Sequence, residues 1–354
     1  MTGERGLIWV LVMLLAIGLV GCGKAPAGEP TANPAEEPSP AEEIEAPSNE
    51  EEETTAFCPL DGMPLEDPEL LNRRPVAVMI DNLPGIGDQS GLDKACVVFE
   101  ILTEGGITRL MPVFLHQEAE VVGPVRSARH YFLDKALEFD AAYSHCGWSP
   151  QAQRDIKNLK VISLNEFYLP KVYWRVRSKK EPHNVYTSTD RLFQELERRG
   201  LETLKEPKAE FAFWEDPSAL SGTAAKKITL RFTGGYKVEY QWDATIPGGG
   251  YRRYAGGKPH RDAETGQQLV AKNLIVQFVD GTRVLDNEGR LDMKLTGQGV
   301  GRVFQQGVTY EANWSKANRE SFTRWTQKNG LEVKLVPGQT WIEVMPKGAE
   351  VSWE

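Results

Sequence analysis

The pattern of apolar and polar positions divides the chain into four segments, and the first is almost continuously apolar. This run covers residues 7–20, with Arg5 ahead of it and small residues at its end. It is short for a membrane-spanning helix, and its basic flank and small end are typical of a secretory signal. Leu-Val-Gly at 19–21 directly precedes Cys22, in the order of a bacterial lipobox. The pattern predicts a signal peptide over 1–21 and cleavage before an acylated Cys22; an uncleaved anchor or a plain signal peptide is the alternative.

The second segment, residues 22–56, is rich in Pro, Glu, Ala and Ser and has almost no large apolar side chains. Such a composition cannot bury a core, so we predict an acidic tether. Residues 1–56 hold 11 of the 50 acidic and two of the 41 basic residues, which leaves 39 of each in the body. A protein that binds nucleic acid would show a basic excess there, so no nucleic-acid partner is expected.

The third segment, residues 57–214, combines short apolar runs with stretches of helical spacing. The runs 76–80 and 95–102 predict buried strands, and Gly105-Gly106 predicts a hairpin that returns through 110–115. We therefore expect an N-terminal α/β domain with a mixed sheet and flanking helices.

The fourth segment, residues 215–354, loses the helical spacing. Short alternating runs separated by Gly-containing turns predict a β-rich C-terminal domain. The chain as a whole is thus expected to be α+β or α/β, with the helices confined to its N-terminal part.

Polar residues cluster where the predicted strands of the third segment end. Asp81 and Asn82 follow the first strand, and Glu104 and Arg109 flank the Gly-Gly turn. In open α/β sheets the carboxyl ends of strands are where ligands bind. The alternatives are that Asp81 and Asn82 cap the strand and start a turn, and that Glu104 and Arg109 form a surface ion pair worth less than about 1 kcal/mol.

The densest chemical signal is the run 123–129, Gly-Pro-Val-Arg-Ser-Ala-Arg. Ser127 is a candidate N-cap for a helix extending to Phe139, and Arg126 and Arg129 lie at its predicted start. Free backbone N–H groups and two guanidinium groups suit a phosphate or carboxylate. The alternative is that the two arginines pair with carboxylates of the protein itself.

Two histidine positions also precede predicted helix starts. His145 ends a predicted strand just before Ser149 and Pro150, a good N-cap and first helical residue, and His183 and Asn184 precede a helix that stops at Gly200. The recurrence predicts one shared cleft for these residues and the arginines. His145 would be an acid, a base or a ligand in such a cleft, and the alternative for it is a satisfied core histidine.

Three cysteines remain beyond Cys22, namely Cys58, Cys96 and Cys146. An odd number, with no C-x-x-C pair, argues against a structural zinc site, and at most one disulfide is possible. No metal or other cofactor is expected. The sequence also lacks the G-x-S-x-G, H-E-x-x-H and phosphate-loop motifs of common enzymes.

Several of these stretches resemble the YerB-like lipoproteins of Gram-positive bacteria. The resemblance extends over nearly all of the body and is carried by five stretches: 79–82, 104–109, 123–129, 182–188 and 338–342. It implies an acylated protein on the outer face of the cell membrane, with an N-terminal and a C-terminal domain, and it supplies no activity. Cys146 departs from the family, which tends to carry a small residue there.

Three functions follow as hypotheses. The first is an envelope lipoprotein that binds an anionic small molecule or cell-wall polymer. The second is an enzyme acting on phosphoryl or acyl groups, with His145 or His183 as general base and Asp81 or Glu104 orienting it. The third is a scaffold whose β-rich domain docks a partner protein. The candidate ligand-binding residues are Asp81, Asn82, Glu104, Arg109, Arg126, Ser127, Arg129, His145, His183 and Asn184.

Overall fold

The structure, a computed structural model, describes residues 55–232 and 235–354. The predicted signal peptide, the acylation site Cys22 and nearly all of the tether lie outside the described residues. Among the helices of the described part, none combines the length and apolar character needed to cross a membrane.

The secondary structure of the described residues is dominated by short strands. The α-helices are α1 His130–Leu137, α2 Pro150–Asn158 and α3 Thr189–Arg199. The 3-10 helices are Pro68–Asn72, Leu92–Lys94, Glu104–Gly106, Glu166–Tyr168 and Pro217–Ala219. The strands are β1 Val76–Val78, β2 Ile80–Asp81, β3 Val97–Leu102, β4 Thr108–Phe114, β5 Ala142–His145, β6 Ser163–Asn165, β7 Trp174–Arg175, β8 Val185–Tyr186, β9 Ala212–Phe213, β10 Thr223–Ala224, β11 Lys227–Arg231, β12 Lys237–Asp243, β13 Gly250–Ala255, β14 Lys258–Pro259, β15 Val270–Ala271, β16 Asn273–Val279, β17 Arg283–Val284, β18 Leu291–Asp292, β19 Gly297–Gln305, β20 Val308–Lys316, β21 Arg324–Gln327, β22 Lys334–Leu335, β23 Thr340–Pro346 and β24 Glu350–Trp353.

A large mixed sheet carries the core. Its main path runs β10-β20-β19-β16-β23-β3-β4-β1-β5-β6, with β2 paired to β4 and β21 to β20. β23, from the end of the chain, lies parallel between β16 and β3. Every residue of β3 is buried, including Glu100, as expected of a largely apolar strand covered on both faces.

A smaller sheet belongs to the C-terminal part alone. Its order is β14-β13-β12-β11-β24, with β15 paired to β13. The predicted class, a mixed sheet with helices followed by a β-rich region, is confirmed. The boundary between residues 214 and 215 stays a prediction, and strands from both sides of it share the large sheet.

The helix predicted from Ser127 to Phe139 begins later and ends earlier than expected. Arg129 is its N-cap residue and α1 covers His130–Leu137. The reason is that the preceding residues are held extended by neighbouring backbone: Arg126 N–H donates to the Met79 carbonyl over 2.8 Å. Ala128 N–H donates likewise to the Gly147 carbonyl over 3.0 Å.

Candidate anion-binding site

The site is built on residues 123–129, which we call the arginine segment. It lies beside β2 on one side and the 145–149 and 185–187 stretches on the other, through bridges such as Ile80 with Val125. A side chain at Gly123 would place its Cβ 2.6 Å from the Tyr186 ring, so this close approach requires glycine. The backbone therefore fixes where the segment's arginine side chains leave the chain.

The carboxylate of Asp81 is the first of two acidic centres in the site. It is buried at the end of β2, and its Oδ2 lies 3.0 Å from Arg126 Nε and 2.6 Å from His183 Nδ1. Its Oδ1 accepts the Leu83 N–H over 3.1 Å. Asp81 thus orients one arginine and one histidine at the same time, and its contact with Arg126 is an ion pair without hydrogen-bond alignment.

The carboxylate of Glu104 is the second acidic centre. Arg129 makes a bidentate ion pair with it: Nε donates to Oε2 over 3.0 Å and Nη2 donates to Oε1. Arg109 Nη2 lies 3.4 Å from Oε1. Burial opposes ionisation, but the Arg129 hydrogen bonds and the charges of Arg109 and Arg129 outweigh it and lower the pKa of Glu104 to about 2. Glu104 is therefore a carboxylate at neutral pH.

Arg109 is the most deeply placed cation of the site. Its side chain leaves β4 with 4% exposure and donates through Nη1 to the Ser127 carbonyl oxygen. Its buried Nε finds no acceptor among the described residues. Burial, followed by repulsion from Arg129, lowers its pKa to about 10, which leaves it charged at neutral pH. The three arginines of the site exceed its two carboxylates by one positive charge, with His183 left out of the count.

His145 lies apart from this cluster. It is fully buried in β5, where Nδ1 contacts the Gly147 carbonyl at 2.7 Å and Nε2 contacts Ser163 Oγ at 2.8 Å. Burial lowers its pKa to about 4. His145 lies at the end of β5, but β5 is flanked by β1 and β6, and its side chain is buried. The geometry is that of a satisfied neutral core histidine, the alternative that the sequence left open.

The side chains of three further predicted residues, Asn82, Asn184 and Ser127, do not bind at the arginine centres as expected. Asn82 Nδ2 lies within hydrogen-bond distance of oxygens of Glu100, Thr108 and Tyr236, in a separate buried network. Asn184 Oδ1 accepts from Arg175 Nη1 over 3.1 Å. Ser127 contributes its carbonyl oxygen to Arg109 and Arg129 and does not cap α1. The structure therefore brings together Asp81, Glu104, Arg109, Arg126, Ser127, Arg129 and His183.

The separate network is a feature that sequence reasoning missed. The fully buried Arg253 donates through Nη2 to Glu100 Oε2 over 2.5 Å and through Nε to His260 Nδ1 over 3.0 Å. Its guanidinium carbon lies 4.4 Å from the centroid of the Trp341 ring. Burial raises the pKa of Glu343, which accepts from Tyr240 at the edge of the network. The only sequence signal was the grouping of Arg253 with His260 in an aromatic stretch.

The fold and the site define a mixed-sheet α+β protein with a cluster of arginines and carboxylates at the end of β2 and the turn between β3 and β4. The chain matches the family descriptions "Protein of unknown function (DUF3048) N-terminal domain" over residues 60–202 and "Protein of unknown function (DUF3048) C-terminal domain" over residues 228–342. It belongs to this YerB-like family, as its sequence motifs suggested.

Two comparisons with one relative support the assignment. The "Putative lipoprotein YerB" of Bacillus subtilis (strain 168) is 34% identical over 296 residues, which are 82% of this chain and 86% of that protein. The crystal structure of YerB protein from Bacillus subtilis matches with a TM-score of 0.74 and 32% identity, over 84% of this chain and 99% of that one.

Proposed function

We propose that the protein is a lipoprotein, anchored through Cys22 on the extracytoplasmic face of the membrane, that binds an anionic envelope ligand at the arginine site. The anchor is supported by the lipobox sequence and by the name of the Bacillus relative. The ligand class is a phosphate-bearing or carboxylate-bearing fragment of the cell wall.

The observation that carries the binding proposal is the imbalance of charge and of hydrogen bonding around the arginines. Arg129 donates to Glu104 through Nε and Nη2 and to the Ser127 and Ala128 carbonyls through Nη1, whereas Arg109 keeps a buried Nε–H without an acceptor among the described residues. Arg126 has 20% of its side chain exposed, and besides its ion pair its side chain makes, within the described part of the chain, only a 3.3 Å hydrogen bond from Nη1 to the Pro182 carbonyl. Arginine matches phosphate and carboxylate geometry through paired N–H donors. Arg126 is therefore the donor that an incoming anion reaches first.

The test is calorimetric titration of the mature chain, in detergent, with a short glycerol-phosphate oligomer. Arg126→Gln removes the most accessible charge, and a hydrogen bond to a charged group is worth about 1.5–3 kcal/mol, so affinity should fall about 10–100-fold. The matched control is Arg154→Gln, because Arg154 is an exposed arginine on α2 whose partner is Gln151.

Equal affinity of the Arg126→Gln and Arg154→Gln variants would refute the assignment of the site. Failure of the wild-type chain to bind either a phosphate-bearing oligomer or a carboxylate-bearing wall fragment would refute the ligand class.

A second candidate function, hydrolysis of phosphoryl or acyl groups, rests on the pair of His183 and Asp81. The 2.6 Å contact from Nδ1 to the buried carboxylate holds the imidazole as a general base is held, and 24% of the His183 side chain is exposed. His145 is unsuited to that role because both of its ring nitrogens are engaged.

If the protein is a hydrolase, the wild-type chain should release glycerol phosphate from the same oligomer. The His183→Gln variant should lose this activity and still bind the oligomer. Absence of turnover by the wild-type chain, or equal turnover by the variant, would leave binding as the function.

A further inference from the structure

Four side chains with metal-binding atoms meet at the N-terminal edge of the described body, away from the arginine site. They are Cys58, Asp61, Cys96 and His116, and one ligating atom from each lies within 4.8 Å of all the others. Two come from the hairpin at residues 57–64, one directly precedes β3 and one follows β4. Residues far apart in sequence thus deliver two sulfurs, one nitrogen and one oxygen to a single point.

We propose that this cluster is a structural zinc site with Cys58, Asp61, Cys96 and His116 as its four ligands. Cys58 Sγ and Cys96 Sγ are 3.9 Å apart. Two thiolates that each lie about 2.3 Å from a tetrahedral Zn²⁺ are about 3.8 Å apart. His116 Nε2 and Asp61 Oδ2 are 2.8 Å apart, and metal entry would open that pair to about 3.3 Å.

The hairpin presents its two ligands in the manner of a metal-binding turn. Cys58 and Asp61 are separated by two residues, the shortest spacing of paired zinc ligands, with a carboxylate where a second thiolate is common. The N–H of Leu60 donates to Cys58 Sγ over 3.4 Å, and the N–H of Met63 donates to Asp61 Oδ1 over 3.1 Å. These backbone donors orient the ligands from outside, as the second shell of a metal site does.

Burial and charge fit a structural site better than a catalytic one. Cys58 and Asp61 are 1% exposed, Cys96 is 0% exposed, and the His116 side chain is 11% exposed. Four protein ligands close a tetrahedral site and leave no position for substrate. Two thiolates, a carboxylate and a neutral imidazole carry three negative charges, and Zn²⁺ would reduce the net charge of the complex to one. Without the metal, burial of these anions would be costly.

The position of the cluster gives the site a mechanical role. The hairpin is the first described element after the tether, and the metal would fasten it to the ends of β3 and β4. The same turn accepts the Gly338 N–H at the Asp61 carbonyl over 2.7 Å, just ahead of β23. Zinc would therefore hold the hairpin at residues 57–64 against the strands of the large sheet. This inference does not depend on the anion-binding proposal.

The test uses the full mature chain, reduced and stripped of metal in detergent, and titrated with Zn²⁺ and separately with Co²⁺. We expect one equivalent of zinc by elemental analysis, and cobalt bands for tetrahedral coordination together with thiolate-to-cobalt charge transfer. Cys58→Ser and Cys96→Ser should weaken binding at least about 10–100-fold, the loss that even an outer-shell partner causes.

Two further variants keep the test decisive if those proteins fail to fold. Cys146→Ser is the matched control, because Cys146 contacts Glu166 and lies outside the cluster. It should retain zinc. Asp61→Cys should bind cobalt with stronger thiolate charge transfer, since a third sulfur replaces an oxygen. Unchanged charge transfer in Asp61→Cys, or equal loss of zinc in Cys146→Ser and Cys58→Ser, would overturn the proposal.

A disulfide between Cys58 and Cys96 is the competing chemistry. It would place the sulfurs about 2.05 Å apart and leave Asp61 and His116 as an ordinary ion pair. Three results together would establish the disulfide and overturn the metal site. The chain isolated without reductant would show only the Cys146 thiol and a mass lower by two hydrogens. After reduction it would take up no zinc.

Discussion

Replacing Glu104 with glutamine is the perturbation whose size the structure defines best. The lowering of the Glu104 pKa from 4.5 to about 2 corresponds to about 3 kcal/mol of preferential stabilisation of the charged form in the folded state. Because 24% of the side chain is exposed, solvent screening reduces this to about 2 kcal/mol. At pH 7, Glu104→Gln should therefore lower the free energy of unfolding by about 2 kcal/mol.

The pH dependence separates this charge effect from a simple packing defect. The folded chain binds the Glu104 proton less readily than the unfolded chain, so the stabilisation is present above pH 4.5 and is lost as pH falls through about 2. At pH 3 about 40% of it remains. The difference in free energy of unfolding between wild type and Glu104→Gln should accordingly shrink by more than half between pH 7 and pH 3.

Urea denaturation followed by circular dichroism at several pH values measures this gap. The exposed Glu206 provides the control, and Glu206→Gln should stay within about 0.5 kcal/mol of wild type throughout. A gap that is constant from pH 7 to pH 3, or absent at pH 7, would refute the reasoning. The substitution also frees Arg109 and Arg129 from a competing carboxylate, so the glycerol-phosphate oligomer should bind Glu104→Gln more tightly than wild type.

Two further predictions concern the buried polar groups. Arg253→Met leaves the fully buried Glu100 without its cation and should lower the free energy of unfolding, measured by urea denaturation, by about 3–5 kcal/mol. The control Arg252→Met, at a partly exposed pair with Asp243, should lower it by less than about 1 kcal/mol. Similar losses in the two variants would contradict the buried network. Burial lowers the pKa of His145 to about 4, so its imidazole should stay neutral at pH 5 by nuclear magnetic resonance; a midpoint near 6.5 would contradict its burial.

Local chemistry accounts for the elements that the sequence predicted well. The Gly105-Gly106 turn joins β3 to β4, Ser149 caps α2 through its side chain, and Gly200 ends α3 in the left-handed conformation. Each of these signals is a backbone requirement of a few neighbouring residues. Such requirements are readable without knowledge of the tertiary structure.

Long-range pairing accounts for what the sequence did not reveal. β23 lies parallel to β3 although more than two hundred residues separate them, and nothing in either strand names its partner. The same limit applies to His145, whose burial depends on β1 and β6 flanking its strand. The absence of a C-x-x-C pair argued against a structural zinc site, but in the proposed cluster an aspartate stands at the second position of the short ligand pair, and Cys96 follows Cys58 by 38 residues.

The hairpin of β3 and β4 connects the two candidate sites. Cys96 and His116 stand at its open end, while Glu104 in its turn and Arg109 in β4 belong to the arginine site. The six residues of β3 span about 20 Å, so no ligand of one site touches the other. Because β23 and β1 hold the hairpin on both sides, a local change at the open end should not reach the turn. Removal of zinc should therefore lower the stability of the fold without changing anion affinity, and each proposal can fail without the other.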